Sequence, residues 1–269
     1  MLACALALAA WAFWLEPASL TVSEERVVLP WAFGQPLKVA ILTDLHVGSP
    51  FNGIAKVKDT VARVNAAAPD LVCILGDLVI QGVVGGHFVA PEPIAAELKS
   101  LHAPLGVVAV LGNHDGWFDH DRVQRALEEN GIRVLEEEAT RLDTSGGPLW
   151  IAGISDTWTG RHNVSAALSA VADDDAPVIL LTHNPDVFPD VPDRVSLTLA
   201  GHTHGGQVRL PFVGRPIVPS RFGQRFAAGH IVEGGRHLYV ATGIGTSILP
   251  VRFRVPPAVT ILTIASPVP

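Results

Sequence analysis

The chain has 269 residues, 48% of them hydrophobic, and its 19 Lys and Arg against 26 Asp and Glu give a formal net charge of −7. That length fits one large domain or two small ones and can bury a full core without disulfide or zinc staples; two cysteines, Cys4 and Cys73, exclude a disulfide framework and a cysteine zinc site. The acidic balance, with no run of Lys or Arg, argues against a nucleic-acid partner, which would call for a basic face.

Residues 1–15 carry no charged side chain. As a helix they would span roughly 22 Å, short of a ~30 Å hydrocarbon core. Trp11 and Trp14 close the run, where interfacial aromatics sit. The segment reads as a membrane anchor or as part of a signal segment, the plainer alternative being a buried N-terminal helix. Glu16, Glu24 and Glu25 follow with only Arg26 opposing them, and this scarcity of basic residues places the following domain outside the cytoplasm. Residues 16–36 read as a connector and 37–269 as one domain.

From Leu37 the pattern alternates strand and helix. An apolar run at 38–43 ends at Asp44; Ile54, Val57, Val61 and Val64 form one helix face. The run 71–75 is a buried strand ending at Gly76-Asp77. Ile94, Leu98 and Leu101 mark a second helix, and 106–111 a third strand ending at Gly112-Asn113-His114-Asp115. Val123, Ala126 and Leu127 mark a third helix with Gly131 as its cap. The second half is richer in strands. Runs at 133–135 and 149–154 flank a Ser145-Gly146-Gly147 turn, and 162–171 reads as helical. The run 178–182 ends at His183, and 196–200 ends at Gly201-His202-Thr203-His204. Glu233 to Arg236 reads as a hairpin turn, and 258–264 is a last strand.

The chemistry sits at the strand ends. Loops at the carboxyl ends of strands are held rigid, which is where α/β folds gather ligands. Asp44 and His46 lie two residues apart and can turn toward one cation. Asp77 can bridge two cations with its two oxygens. Asn113 offers an amide oxygen, and His183, His202 and His204 offer imidazoles. Oxygen and nitrogen donors without sulfur suit Mn, Zn or Fe, and a cation pair can activate water and polarise a phosphoryl group together. Each motif is weak alone; the joint order is not. His87, His102, His120, His162, His230 and His237 fall outside the motifs and read as ordinary residues. Arg209, Arg215, Arg221, Arg225, Arg252 and Arg254 crowd the last quarter and read, for the most part, as solvated loop residues.

The order Asp44-x-His46, Gly76-Asp77, Gly112-Asn113-His114-Asp115, His183, Gly201-His202-x-His204 resembles the calcineurin-like metallophosphoesterase superfamily over roughly residues 37–265. The stretches 182–185, 201–207 and 243–254 are similar, more narrowly, to its bacterial membrane-associated or exported phosphodiesterases. The resemblance implies a four-layer αββα sandwich of two mixed β-sheets flanked by helices. It also implies two divalent metal ions, one held by Asp44, His46, Asp77 and His204 and the other by Asp77, Asn113, His183 and His202. His114 would be the general acid, supported by Asp115, and a metal-bridging hydroxide would attack the phosphoester. Many relatives read Gly-Asp-x-x-Asp, but Ile80 stands at the second position here. Phosphodiesters are the favoured substrates; the alternatives are a lipid-linked pyrophosphate of the UDP-diacylglucosamine type, suited to an apolar rim from 82–93 and Trp117-Phe118, and a non-catalytic metal-stabilised scaffold.

Overall fold

Side-chain alternation along the apolar runs decides the layers. In the computed structural model, which describes every residue except 32–34, 161, 173, 268 and 269, the strands are β1 (Thr21–Val28), β2 (Leu37–Leu42), β3 (Leu71–Leu75), β4 (Val107–Val110), β5 (Arg133–Val134), β6 (Glu138–Thr144), β7 (Gly147–Gly153), β8 (Val178–Leu181), β9 (Leu197–Ala200), β10 (Gly229–Glu233), β11 (Arg236–Val240) and β12 (Ala258–Ala265). The α-helices are α1 (Leu2–Ala10), α2 (Glu16–Ala18), α3 (Ile54–Ala67), α4 (Pro91–Leu98), α5 (Asn113–Glu128) and α6 (Val164–Leu168). One six-stranded sheet has the order β1-β12-β2-β3-β4-β5 and the other β10-β11-β9-β8-β7-β6.

Successive residues of a strand face opposite sides. Val39, Ile41, Leu71, Cys73 and Leu75 of the first sheet therefore meet Leu149, Ile151, Ile179, Leu181, Leu197 and Leu199 of the second, forming the inter-sheet core. Their neighbours Ala40, Leu42, Val72 and Ile74 face outward and bury Val57, Val61 and Val64 of α3, Ile94 and Leu98 of α4, and Val123 and Leu127 of α5. On the far side Val178, Leu180, Leu238 and Val240 pack with Ala167, Phe188 and Phe226. The result is the expected four-layer α/β sandwich. Each such apolar side chain contributes about 1.5–3 kcal/mol when fully buried.

β2, β3 and β4 run parallel, as do β7, β8 and β9, with β11 parallel to β9. Their carboxyl ends meet at one edge of the sandwich, where His183 Nδ1 donates to Leu75 O across the two sheets at 2.6 Å.

Several expectations change. The connector assigned to 16–36 contains α2 and the strand β1, which pairs in parallel with β12 and makes the first sheet's edge; residues 32–34 lie outside the described residues. β1 escaped notice because its outer position leaves most of its side chains exposed and polar. The turn at Ser145-Gly146 joins β6 to β7, while 133–134 pairs with β4 in the other sheet. α5 begins at Asn113, ten residues ahead of the apolar stripe, with an extended residue at Asp119 inside it. The helix expected over 162–171 is only Val164–Leu168, capped by Asn163, whose Oδ1 accepts from Ala166 N at 3.0 Å. The buried N-terminal helix is excluded: no residue of α1 is buried. It continues through a π-turn at Trp11–Leu15 into α2. Among the described residues, no helix is long and apolar enough to cross a membrane.

Candidate metal centre

Every candidate ligand follows a strand end, and the backbone there is unusual. Asp44 (φ 50), His46 (φ 40), Asp77 (φ 56), His202 (φ 68) and His204 (φ 51) all occupy the left-handed region that side chains avoid. Such residues persist only where their surroundings over-determine them, and they concentrate at functional sites. Here the surroundings are other ligands and loops: His202 N donates to Asp44 Oδ2 at 3.0 Å, and His114 N donates to Asp77 Oδ1 at 2.8 Å.

Three overlapping clusters result among the described residues, two of them made wholly of candidate ligands. Asp44, His46 and His204 form one, Asp77, His183 and His202 the other. In the first, His46 Nε2 lies 3.1 Å from His204 Nε2, and His204 Nε2 lies 3.3 Å from Asp44 Oδ1. In the second, His183 Nε2 lies 3.2 Å from both His202 Nδ1 and Asp77 Oδ2. Asp77 Oδ2 also lies 3.4 Å from His46 Nε2, so it joins the two. For bonds of about 2.1 Å, neighbouring donors in octahedral or tetrahedral coordination stand roughly 3.0–3.4 Å apart. The spacing therefore fits cations.

The donors fit as well. His183 gives its Nδ1–H to Leu75 O, which fixes the ring with Nε2 facing the centre. Asp44 Oδ1 and Asn113 Oδ1 are buried without a hydrogen-bond partner among the described residues. Imidazole nitrogens facing each other at about 3 Å do not suit two lone pairs, but they suit a shared positive ion. Asp77 Oδ1 accepts from the His114 amide, while its Oδ2 faces the imidazoles of both clusters.

Electrostatics divide the candidate ligands. Burial pushes His46 down to about 3, and burial with His183 nearby does the same to His202. Burial likewise holds His204 well below its ordinary value. These imidazoles are neutral at pH 7, the form that binds metal. Burial also lowers His183, but the Asp77 carboxylate outweighs it and, with Asp44 and Asp156, lifts this group to about 10. Burial raises Asp44 to about 7.

A cavity of about 430 Å³ opens over the centre, lined by Asp77, Asn113, His114, His202 and His204 below and by Trp117, Trp158, Ile217, Pro219 and Ile248 around the mouth. His114 stands edge-on to His46 with ring centroids 4.6 Å apart, and it also clusters with His46 and Asp77. Burial lowers its pKa, while Asp77 and Asp156 pull it back up. Asp115 lies behind the centre instead of at the imidazole. Its carboxylate accepts from the amides of Asp77, Leu78, Val79 and Gly112, which ties the loop after β3 to the start of α5. Any support it gives His114 runs through that backbone.

Sequence reasoning missed two side chains beside the centre. Asp156, just past β7, is buried; its Oδ2 accepts from Trp158 N and Thr159 N, and its buried Oδ1 is unpartnered among the described residues. Trp158 stacks near Trp117 and stands edge-on to His202 at 4.5 Å. The signal was present, since Ser155-Asp156 follows an apolar run like the other motifs, but it carries no glycine or histidine to mark it.

A family model described as calcineurin-like phosphoesterase matches residues 37–206. The chain is 31% identical over 262 residues to the uncharacterized metallophosphoesterase YkuE of Bacillus subtilis, covering 95% of this chain and 89% of that one. It is 34% identical over 231 residues to phosphodiesterase YaeI of Escherichia coli, covering 84% and 82%. Among solved structures, NAD nucleotidase (NadN) of Haemophilus influenzae shares the fold with a TM-score of 0.51 at 14% identity, over 78% of this chain and 46% of that one. With motifs, fold and relatives in agreement, the chain belongs to the calcineurin-like phosphoesterase family.

Proposed function

We propose that the chain is a dinuclear-metal hydrolase of phosphodiesters. The observation that carries this is Asp77 Oδ2 standing between two clusters of buried imidazoles. On this reading Asp44, His46, Asp77 and His204 hold one divalent cation, and Asp77, Asn113, His183 and His202 hold the other. Cations bound there, Mn, Zn or Fe by the character of the donors, supply an activated water and neutralise phosphoryl charge. His114, at the floor of the cavity, gives its proton to the leaving oxygen. An anionic ester entering beside it raises its pKa, offsetting the effect of burial. The similarity to phosphodiesterase YaeI supports a diester over a monoester. The test is metal analysis of the purified full-length protein together with a panel of bis-nitrophenyl phosphate, nitrophenyl phosphate and a lipid–nucleotide pyrophosphate. Two equivalents of metal and preferred turnover of the diester are expected; a folded protein that turns over no member of the panel with both cations bound would favour a scaffold.

A second reading has its own observation. The rim residues Ile217 and Ile248 are 77% and 72% exposed. From Ile248 the apolar surface continues to Val84, whose amide donates to Ile248 O at 3.0 Å, and Trp14 within the π-turn packs on Phe51 at 5.7 Å. We propose that this rim and the exposed α1 lie in a membrane interface on the extracytoplasmic side, and that the centre there meets a lipid-linked phosphoester or pyrophosphate. Flotation of the full-length protein with neutral vesicles is expected; recovery entirely away from vesicles overturns this reading without touching the first.

A further inference from the structure

The arginines of the last quarter were expected in solvent, yet Arg252 heads the fully buried side chains of the molecule. Its guanidinium donates only to main-chain carbonyls: Nη2 to Gly245 O at 2.6 Å and Thr242 O at 3.1 Å, Nη1 to Val255 O at 3.0 Å, and Nε to Gly245 O at 3.1 Å. It thereby gathers the loop that follows β11. That loop lies directly under two candidate ligands. Gly245 N donates to Asp44 O at 2.7 Å and Ile244 N to Thr43 O at 3.3 Å. A Cβ on Gly243 would stand 2.6 Å from Asp44 Cβ, and one on Gly245 would stand 2.6 Å from His46 Cβ. Asp44 and His46 are both held in left-handed backbone, so this loop supplies part of what holds them there.

On its other side Arg252 meets the N-terminal segment. Arg252 N donates to Ala12 O at 2.9 Å. Val255 N donates to Glu16 Oε1 at 2.6 Å, and Trp11 Nε1 donates to Glu16 Oε2 at 2.5 Å. Lys56 Nζ donates to Pro17 O at 2.8 Å. Glu16 is itself buried. Glu16 and Arg252 thus hold the same segment from two sides, Glu16 through Val255 N and Arg252 through Val255 O.

We propose that residues 11–17 are part of the metal centre, with Glu16 and Arg252 as positioning residues that clamp the loop 242–255 beneath Asp44 and His46 and thereby set the affinity of the cation held by Asp44, His46 and His204. This rests on the dinuclear reading above. The family match, confined to residues 37–206, includes neither half of the clamp.

The test uses the full-length chain, stripped of metal and titrated with Mn²⁺ by calorimetry, with a His204→Ala variant to identify which binding event belongs to the first cluster. Glu16→Ala and Arg252→Lys are expected to weaken that event by about tenfold or more, the range for groups that orient ligands, and to leave the other event within about twofold. Glu16→Gln keeps an acceptor for Val255 N and should weaken the same event less, which preserves a measurement if the alanine variant does not fold. Phe188→Leu, a core change in the far layer, should leave both events unchanged. The proposal is overturned if folded Glu16 and Arg252 variants bind both cations as the unsubstituted protein does, or if Phe188→Leu weakens the first event equally. Failure of the unsubstituted protein to take up two cations is a different result, and sinks the dinuclear reading instead.

Discussion

Replacing Asp115 with asparagine changes one atom of a carboxylate that braces the centre from behind. Oδ1 accepts from Leu78 N at 2.9 Å and Val79 N at 3.3 Å; Oδ2 accepts from Asp77 N at 2.8 Å and Gly112 N at 3.0 Å. The residue is fully buried. An asparagine amide keeps one oxygen and sets an NH₂ group against the other two donors, whichever way it turns. Two buried N–H groups are left unpaired, at about 1–3 kcal/mol each, for a total of about 2–6 kcal/mol. At roughly 2–4 °C per kcal/mol for a chain of this size, Tm falls on the order of 10 °C. Metal uptake falls with it, because in either orientation a freed amide belongs to the loop that carries Asp77. Thermal unfolding followed by circular dichroism, with metal content measured on the same preparations, reads both effects. Asp121→Asn, at an exposed carboxylate, serves as the reference and should stay within about 0.5 kcal/mol. A Tm for Asp115→Asn that matches this reference, with full metal content, would refute the bracing role.

Other outcomes follow from the assigned roles. His114→Ala should keep both metal equivalents and lose about 10²–10⁴-fold in turnover; an unchanged rate contradicts its role as acid. Asp77→Ala should lose metal from both clusters, and wild-type occupancy with wild-type rate would remove it as the shared ligand. His183, lifted to about 10 as Asp77 outweighs its burial, is protonated at neutral pH, whereas a bound cation requires it bare. Metal uptake should therefore release a proton and tighten as pH rises toward about 10, and below about 7 the raised Asp44 adds a second proton. Calorimetry in buffers of different ionisation enthalpy measures this, and a pH-independent affinity from 6 to 9, on the order of the values near pH 7, contradicts it. Ile248→Ser should lower turnover of a lipid-linked pyrophosphate and spare bis-nitrophenyl phosphate; equal losses on both would argue that the rim is structural.

The candidate ligands were legible because each is local to its strand. An apolar run that stops at a carboxylate, amide or imidazole announces both the strand and the donor, and Asp44, Asp77, Asn113, His183 and His202 all follow that form. What could not be read is whatever depends on distant partners. β1 and β12 pair across more than two hundred residues of sequence, and an exposed edge strand has no buried alternation to give it away. The same holds for Arg252, indistinguishable in sequence from its solvated neighbours until Glu16, 236 residues earlier, is brought within reach of its loop. Asp77 shows the limit within a single residue: sequence offers two carboxylate oxygens, and only the fold shows that Oδ1 accepts from the His114 amide while Oδ2 faces His46 and His183.

Ile80 joins these two kinds of information. Relatives that read Gly-Asp-x-x-Asp carry a second carboxylate on the loop after β3; here that position is a buried isoleucine. A carboxylate does act on the His114 imidazole from another strand end: Asp156, just past β7 in the opposite sheet, works with Asp77 to raise it against the effect of burial. Sequence comparison along the loop registers only the absence, since the two positions are separated by 76 residues and meet only through the packing of the two sheets.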